Sequence, residues 1–275
     1  MKNIFIPYQK SLLLSVVTTI LLLSCNKKDI FVDASYPDQQ IGIAQAAVAT
    51  LGPGANGVYR VAANRVGGDF KFKVDIPASK VNISMGIIRS GIKLDGAIEA
   101  NLVIAGEDTI NTLKAPGLVM PTTTEILPAA AFTLPPTVTV QNGKATGEFN
   151  LALDLNFLVA NITRKYAVAI GLSSSKNGLV NSKLSIAVVY IDPAVILLPT
   201  ANFGVAIDGP TKTVEFLNSS INGVTFSWNY GDGSPVVTTP FPRHTYTTAG
   251  SYIVSLTTTG VTGVPSVRTT TIVIP

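Results

Sequence analysis

Beyond residue 40, apolar and polar side chains alternate with a period of two along much of the chain, the pattern of strands with one buried face. Phe70, Phe72, Val74 and Ile76 share one face of such a segment, with Lys71, Lys73 and Asp75 on the other. Phe149, Leu151, Leu153 and Leu155 repeat the pattern against Asn150, Asp154 and Asn156. Between TVTV (137–140) and that strand lies QNGK (141–144), whose Asn142-Gly143 pair predicts a tight hairpin turn. KYAVAIGL (165–172) and KLSIAVVYI (183–191) read as further strands separated by the turn-rich SSSKNG. Only residues 39–51 carry an ambiguous, helix-compatible period. Alternation with one polar face suits half-exposed antiparallel sheets, so the expected class is all-β.

The texture breaks near residue 192, where Pro193 and Pro199 bracket an apolar connector. A second set of strands follows, through TVEFLNSS, VTFSWNYGDG, SYIVSLTTTG and VRTTTIVIP. The expected architecture is two β-sandwiches in series, residues 41–195 and 200–275.

The N-terminus reads differently. Lys2 and Lys10 form a positive region ahead of an apolar run over 11–24, shorter than the roughly 20 residues a membrane helix needs. It ends in Leu22-Leu23-Ser24-Cys25, the sole cysteine. This resembles the lipobox of bacterial lipoproteins, which implies cleavage before Cys25, lipidation of its thiol and 1–24 as a signal peptide. An ordinary signal peptide with an incidental cysteine and a catalytic thiol are the alternatives. Residues 25–40 then form a polar tether, whose 26–40 stretch reaches about 50 Å if fully extended. A lipidated Cys25 leaves no thiol for a disulfide in either sandwich.

Composition narrows the classes. A chain of 275 residues, 47% hydrophobic and 13% charged, is neither disordered nor a coat for nucleic acid. Its net charge of +4 includes Lys2 and Lys10 of the leader. No basic cluster marks a nucleic-acid footprint. The partners expected are a membrane, through the lipid, and a polysaccharide or surface protein.

Trp228-Asn229-Tyr230-Gly231-Asp232-Gly233-Ser234, followed by His244, Tyr246, Gly250, Tyr252, Val254 and Leu256, resembles the signature of polycystic-kidney-disease (PKD) domains. Asn229 and Tyr230 replace the usual Asp and Phe. The resemblance implies an immunoglobulin-like sandwich with Trp228 in its core beside Val224 and Phe226. It further implies a Gly231-Asp232-Gly233 turn in which Asp232 caps backbone amides, a corner tyrosine at Tyr252, and Val254 where an antibody domain has cysteine. His244, the one histidine, then belongs to a structural pattern; as a base it would need a nucleophile and an orienting acid. Asp208 and Asp232 are calcium candidates through some members of the family, but no dense array of oxygen ligands accompanies them. No catalytic residue, metal site or cofactor is assigned.

Residues 37–195 resemble, more diffusely, an uncharacterised N-terminal domain of surface lipoproteins from glycan-degrading Gram-negative gut bacteria. ILPAAAFTL, VTVQNGKATGEFNLALDL and KYAVAIGLSSSKNGLVNSKLSIAVVYID carry the likeness, with Phe132 for the usual Tyr. Asp108-Thr109-Ile110 fits the short acceptor pattern for O-glycosylation in that bacterial group, making Thr109 a candidate. Gly52, Gly54 and Gly57 match a dinucleotide-binding spacing, yet Pro53 and the strand-like VYRVAAN make a β-turn loop the expectation.

Three functional classes follow: an adhesion or glycan-binding accessory protein, a spacer for a protein partner, and a glycosidase-type enzyme. The last has no recognisable carboxylate motif among 16 acids. Tyr36, Tyr59, Tyr230 and Phe241 are the aromatics left for stacking on sugars. Asn26-Lys27-Lys28-Asp29 lacks the acidic start of exported surface lipoproteins, but the sandwiches favour an outer-membrane, outward-facing location.

Overall fold

The computed structural model describes residues 38–51, 57–66, 71–91, 94–114 and 120–275. The predicted leader, Cys25, Asn26–Asp29, Tyr36 and the tether up to residue 37 lie outside the described residues, as do Phe70 and most of the 52–57 loop.

The N-terminal half holds strands β1 (Gln40–Ile43), β2 (Val58–Arg60), β3 (Phe72–Asp75), β4 (Lys80–Arg89), β5 (Ile98–Ile104) and β6 (Glu125–Ile126). It continues with β7 (Phe132–Thr133), β8 (Thr137–Val140), β9 (Thr146–Asp154), β10 (Tyr166–Lys176), β11 (Leu179–Val180) and β12 (Ile186–Ile191). Short helices α1 (Ala44–Leu51), α2 (Glu107–Asn111), α3 (Leu155–Ala160) and α4 (Pro193–Leu197) punctuate them. The C-terminal half contains β13 (Phe203–Asp208), β14 (Thr213–Asn218), β15 (Thr225–Asn229), β16 (Arg243–Thr245), β17 (Gly250–Thr259) and β18 (Pro265–Ile274).

One N-terminal sheet runs β11-β1-β4-β9-β7, with β3 also on β4. Its partner runs β2-β12-β10-β5-β8, with β6 on β10. Alternation puts Val81, Ile83, Met85 and Ile87 of β4 against Ile98, Val138, Val168 and Ile170 in one shared core. β10 and β12 are buried on both faces. Their outward Ala167, Ala169, Val188 and Tyr190 form a second cluster with Ile110 of α2 and Met120. That double burial explains the near-continuous apolar runs there.

The expected hairpin around Asn142-Gly143 does not form. β8 pairs with β5 in one sheet and β9 with β4 and β7 in the other, so the turn is an arch between layers. Gly143 takes φ +75°, and Asn142 Oδ1 accepts the Gly96 N–H at 2.8 Å. Buried Arg89 sits beneath, its guanidinium donating to the carbonyls of Leu94 (2.6 Å), Gly96 (2.7 Å) and Lys144 (2.7 Å). Pairing β8 with β9 would have left β5 as the bare edge of its sheet. The other strand expectations need smaller changes. β10 continues through the serines to Lys176, and residues 39–51 split into β1 and α1. β9 stops at Asp154, whose carboxylate accepts the Phe157 N–H at 2.9 Å and caps α3. Ile76, expected inward, lies in the turn after β3 and is 57% exposed.

The C-terminal half packs a β13-β14-β16 sheet against a β15-β17-β18 sheet. Trp228 is fully buried between them, in edge contact with Phe203 (5.1 Å) and tilted on Phe216 (5.2 Å). Its indole N–H donates to Thr239 O at 3.1 Å, so the ring brings no unpaired polar group inside. Val254 is fully buried in the same core. Val224 differs from expectation: it precedes β15 and is 52% exposed. The chain is thus all-β, with sandwiches built around two cores.

Candidate functional site

Two places gather the residues with chemistry: the turn after Trp228, and the junction of the two cores.

At the turn, Gly231 and Gly233 take φ +78° and +84°. A Cβ on Gly231 would also stand 2.3 Å from Ile253 O, so only glycine fits. Asp232 Oδ1 accepts from the Ser234 N–H (3.0 Å) and hydroxyl (2.6 Å), while Oδ2 lies 2.6 Å from His244 Nε2. Burial by itself would raise the Asp232 carboxyl. The Ser234 hydroxyl, His244 and the Ser234 N–H outweigh it and hold the pKa down to about 2. His244 comes from β16, stacks on Tyr230 at 4.0 Å and meets Tyr246 edge-on at 4.7 Å. The Tyr246 hydroxyl donates to Tyr230 O at 3.0 Å. Burial, then the Asp232 charge, pushes the Tyr230 hydroxyl upward, and Tyr246 shifts the same way for the same reasons.

Ser, Asp and His thus meet, but in an order that does not activate a nucleophile. A triad needs serine on the imidazole and the acid on the ring's other nitrogen. Here Ser234 bonds the carboxylate. The trio instead ties the β15 turn to β16 across the two sheets. Tyr252 adds a stitch of its own, its hydroxyl donating to Thr248 O at 3.0 Å just before β17 begins at Gly250. Asp208 accepts from the Thr211 hydroxyl at 2.6 Å, and no metal-holding group of acids, histidine or cysteine occurs among the described residues.

The junction was not visible in the sequence. Asn222, in the left-handed region at φ 52°, donates its backbone N–H to Asn64 O at 2.8 Å. Its side-chain oxygen accepts the Asn64 N–H at 3.1 Å. Its amide group donates to Val195 O (2.6 Å) and Leu198 O (3.0 Å), closing α4 onto the C-terminal half. Next to it, Ile221 bridges both Arg65 and Thr200. A Cβ on Gly260 would meet Asn222 O at 2.9 Å and Leu197 O at 3.0 Å, so glycine permits the close approach. Side chains are exchanged as well: Val66 packs on the C-terminal core and Val261 on the N-terminal one.

Beside this lock runs a groove of about 470 Å³, lined by residues of both halves, among them Phe72, Val74, Leu197 and Val261. Ile76 and Val224, the two apolar residues found exposed against expectation, are part of its wall. The Asn222-Gly223 dipeptide was the one readable signal here, and it marks only a turn.

The remaining candidates scatter. Thr109 is half-buried in the first turn of α2, with Asp108 exposed before it and Ile110 buried after it. Tyr230 is buried and Tyr59 half-buried against the core, which corrects their assignment as sugar platforms; Phe241 is 52% exposed. Gly57, at φ +79°, leads into β2, and helix α1 precedes the loop, the reverse of a dinucleotide site's order.

A search of curated proteins gives no match. Among solved structures, the chain is similar to the PKD1 domain of Vibrio anguillarum Epp, at 34% identity and TM-score 0.26, covering 28% of this chain and 93% of that one. The PKD1 domain of the Vibrio cholerae metalloprotease PrtV gives 34% identity and TM-score 0.26, covering 28% and 98%. An auxiliary nutrient binding protein from Bacteroides thetaiotaomicron gives 15% identity and TM-score 0.37, covering 75% of this chain and 61% of that one. Residues 199–274, the segment built around Trp228 and the Asp232–His244 pair, match the family model of the PKD domain.

Proposed function

We propose that this chain is a non-catalytic binding protein of the bacterial envelope, held by lipid at Cys25, with an adhesion or glycan-associated accessory role. In this reading residues 1–24 are the leader, 25–40 the tether, and 41–195 and 200–275 the two sandwiches. The observation that carries it is the junction. Asn222 fixes one sandwich against the other, and the groove beside it draws walls from both. Concave apolar surface with a few polar groups is where ligands bind, and exposed apolar side chains such as Ile76 and Val224 favour contact with a partner. The one histidine supports the non-catalytic reading, because its bond to Asp232 serves the turn.

Lipid vesicles carrying the anchored protein, probed against polysaccharide arrays, test this. Val224→Arg, which sets a charge on the groove wall without touching a core, should reduce binding of any ligand seated there. Ligands that Val224→Arg holds as tightly as wild type bind elsewhere. The spacer reading is favoured by the rigidity of the lock, and it expects the groove-blocked protein to keep its biological role.

A further inference from the structure

Two of the polar side chains around the groove, those of Asn64 and Asn222, are already committed. Asn64 donates its amide to Phe72 O (3.0 Å) and accepts the Lys71 N–H (3.0 Å), and Asn222 is held as described. Their donors are spent on the backbone. The floor is apolar. One charge stands in the wall, Lys73, which is exposed and makes no ion pair among the described residues. No acid lines the groove among the described residues. Asp75, the nearest acid in sequence, caps the following turn by accepting the Ala78 N–H at 3.0 Å.

An apolar trough with a single uncompensated cation complements a molecule with an alkyl body and an anionic end. We propose that the groove binds a long-chain carboxylate, its alkyl chain on the accessible Ile76, Val224 and Val261 and its carboxylate against Lys73. The proposal rests on the groove being the ligand surface. The volume of about 470 Å³ falls within the range of small-ligand sites, roughly 300 to 1,000 Å³.

The test uses the full lipidated chain in phosphatidylcholine nanodiscs, whose neutral surface does not favour either probe. Dodecanoate bearing a diazirine is photo-crosslinked, and the labelled peptides are mapped by mass spectrometry. Diazirine dodecanol serves as the uncharged comparison. Labelling should fall on peptides containing Val74–Ile76, Val224 or Val261. Lys73→Glu should weaken carboxylate labelling roughly threefold to fivefold, the range an exposed ion pair supports, and leave dodecanol unchanged. Val224→Arg should block both probes; each variant is checked for an unaltered thermal transition. Equal labelling by both probes, insensitive to Lys73→Glu, overturns the carboxylate assignment while the groove remains a binding surface. No groove labelling, together with polysaccharide binding that Val224→Arg removes, overturns the proposal and leaves the functional reading intact. Absence of both overturns the two together.

Discussion

Asp232 shows how one carboxylate can be worth more as a fastener than as a reagent. Its folded pKa of about 2 lies below the ordinary 3.8, so it stabilises the fold above about pH 4 and loses that contribution as pH falls toward 2. Because the residue is exposed, solvent screening reduces what this difference contributes to about 1 kcal/mol. Asp232→Asn should therefore lower stability by about that much near neutrality, with the gap to wild type closing between about pH 4 and 2. Chemical denaturation across that range measures it. A constant gap would mean the carboxylate's bonds are not what holds the turn. Trp228 acts by volume instead. Fully buried and ringed by Phe203 and Phe216, it should cost about 3 to 5 kcal/mol on replacement by Ala, seen as an early unfolding of the C-terminal half. Wild-type melting of Trp228→Ala would require the indole to be exposed.

Elements show where the sequence speaks and where it falls silent. Period-two alternation located β3 and β9 because each has one buried face, and the Trp228 motif carried the C-terminal core. The Asn142-Gly143 turn misled because its dipeptide sets a backbone bend without saying which strands it joins. Both partners were determined at a distance, by β5 and β4. The junction was harder still. Asn64 and Asn222 are ordinary polar residues until 158 positions of chain are folded to bring them together, and nothing local marks them. Asn222→Ala strands the carbonyls of Val195 and Leu198 and the N–H of Asn64. It should cost about 1 to 3 kcal/mol and split calorimetric unfolding into two transitions. Limited proteolysis should then cut near α4, which wild type resists. A single unshifted transition would show that the exchanged valines hold the halves unaided.

For the whole molecule, the proposed lipid at Cys25 would decide where any ligand can be met. Cys25→Ser should move the protein from the detergent phase to the aqueous phase on partitioning; retention in detergent would point to another membrane attachment. Proteinase K added to intact cells should digest the wild-type protein if it faces outward, whereas protection until the outer membrane is opened would put it in the periplasm.

The parallel pairing of β1 with β11 has a consequence for the order of assembly. Gln40 aligns with Leu179 and Ile41 with Val180, so an early strand waits for one made near the end of its own sandwich. Such contacts close long loops and fold slowly. Val66 waits longer, for the C-terminal core it enters, and the site that Val261 fills on the first core stays open until that residue is synthesised. During synthesis the patch of the first core that Val261 covers therefore stays bare until the turn between β17 and β18 is made, so the earlier sandwich is completed only by the later one.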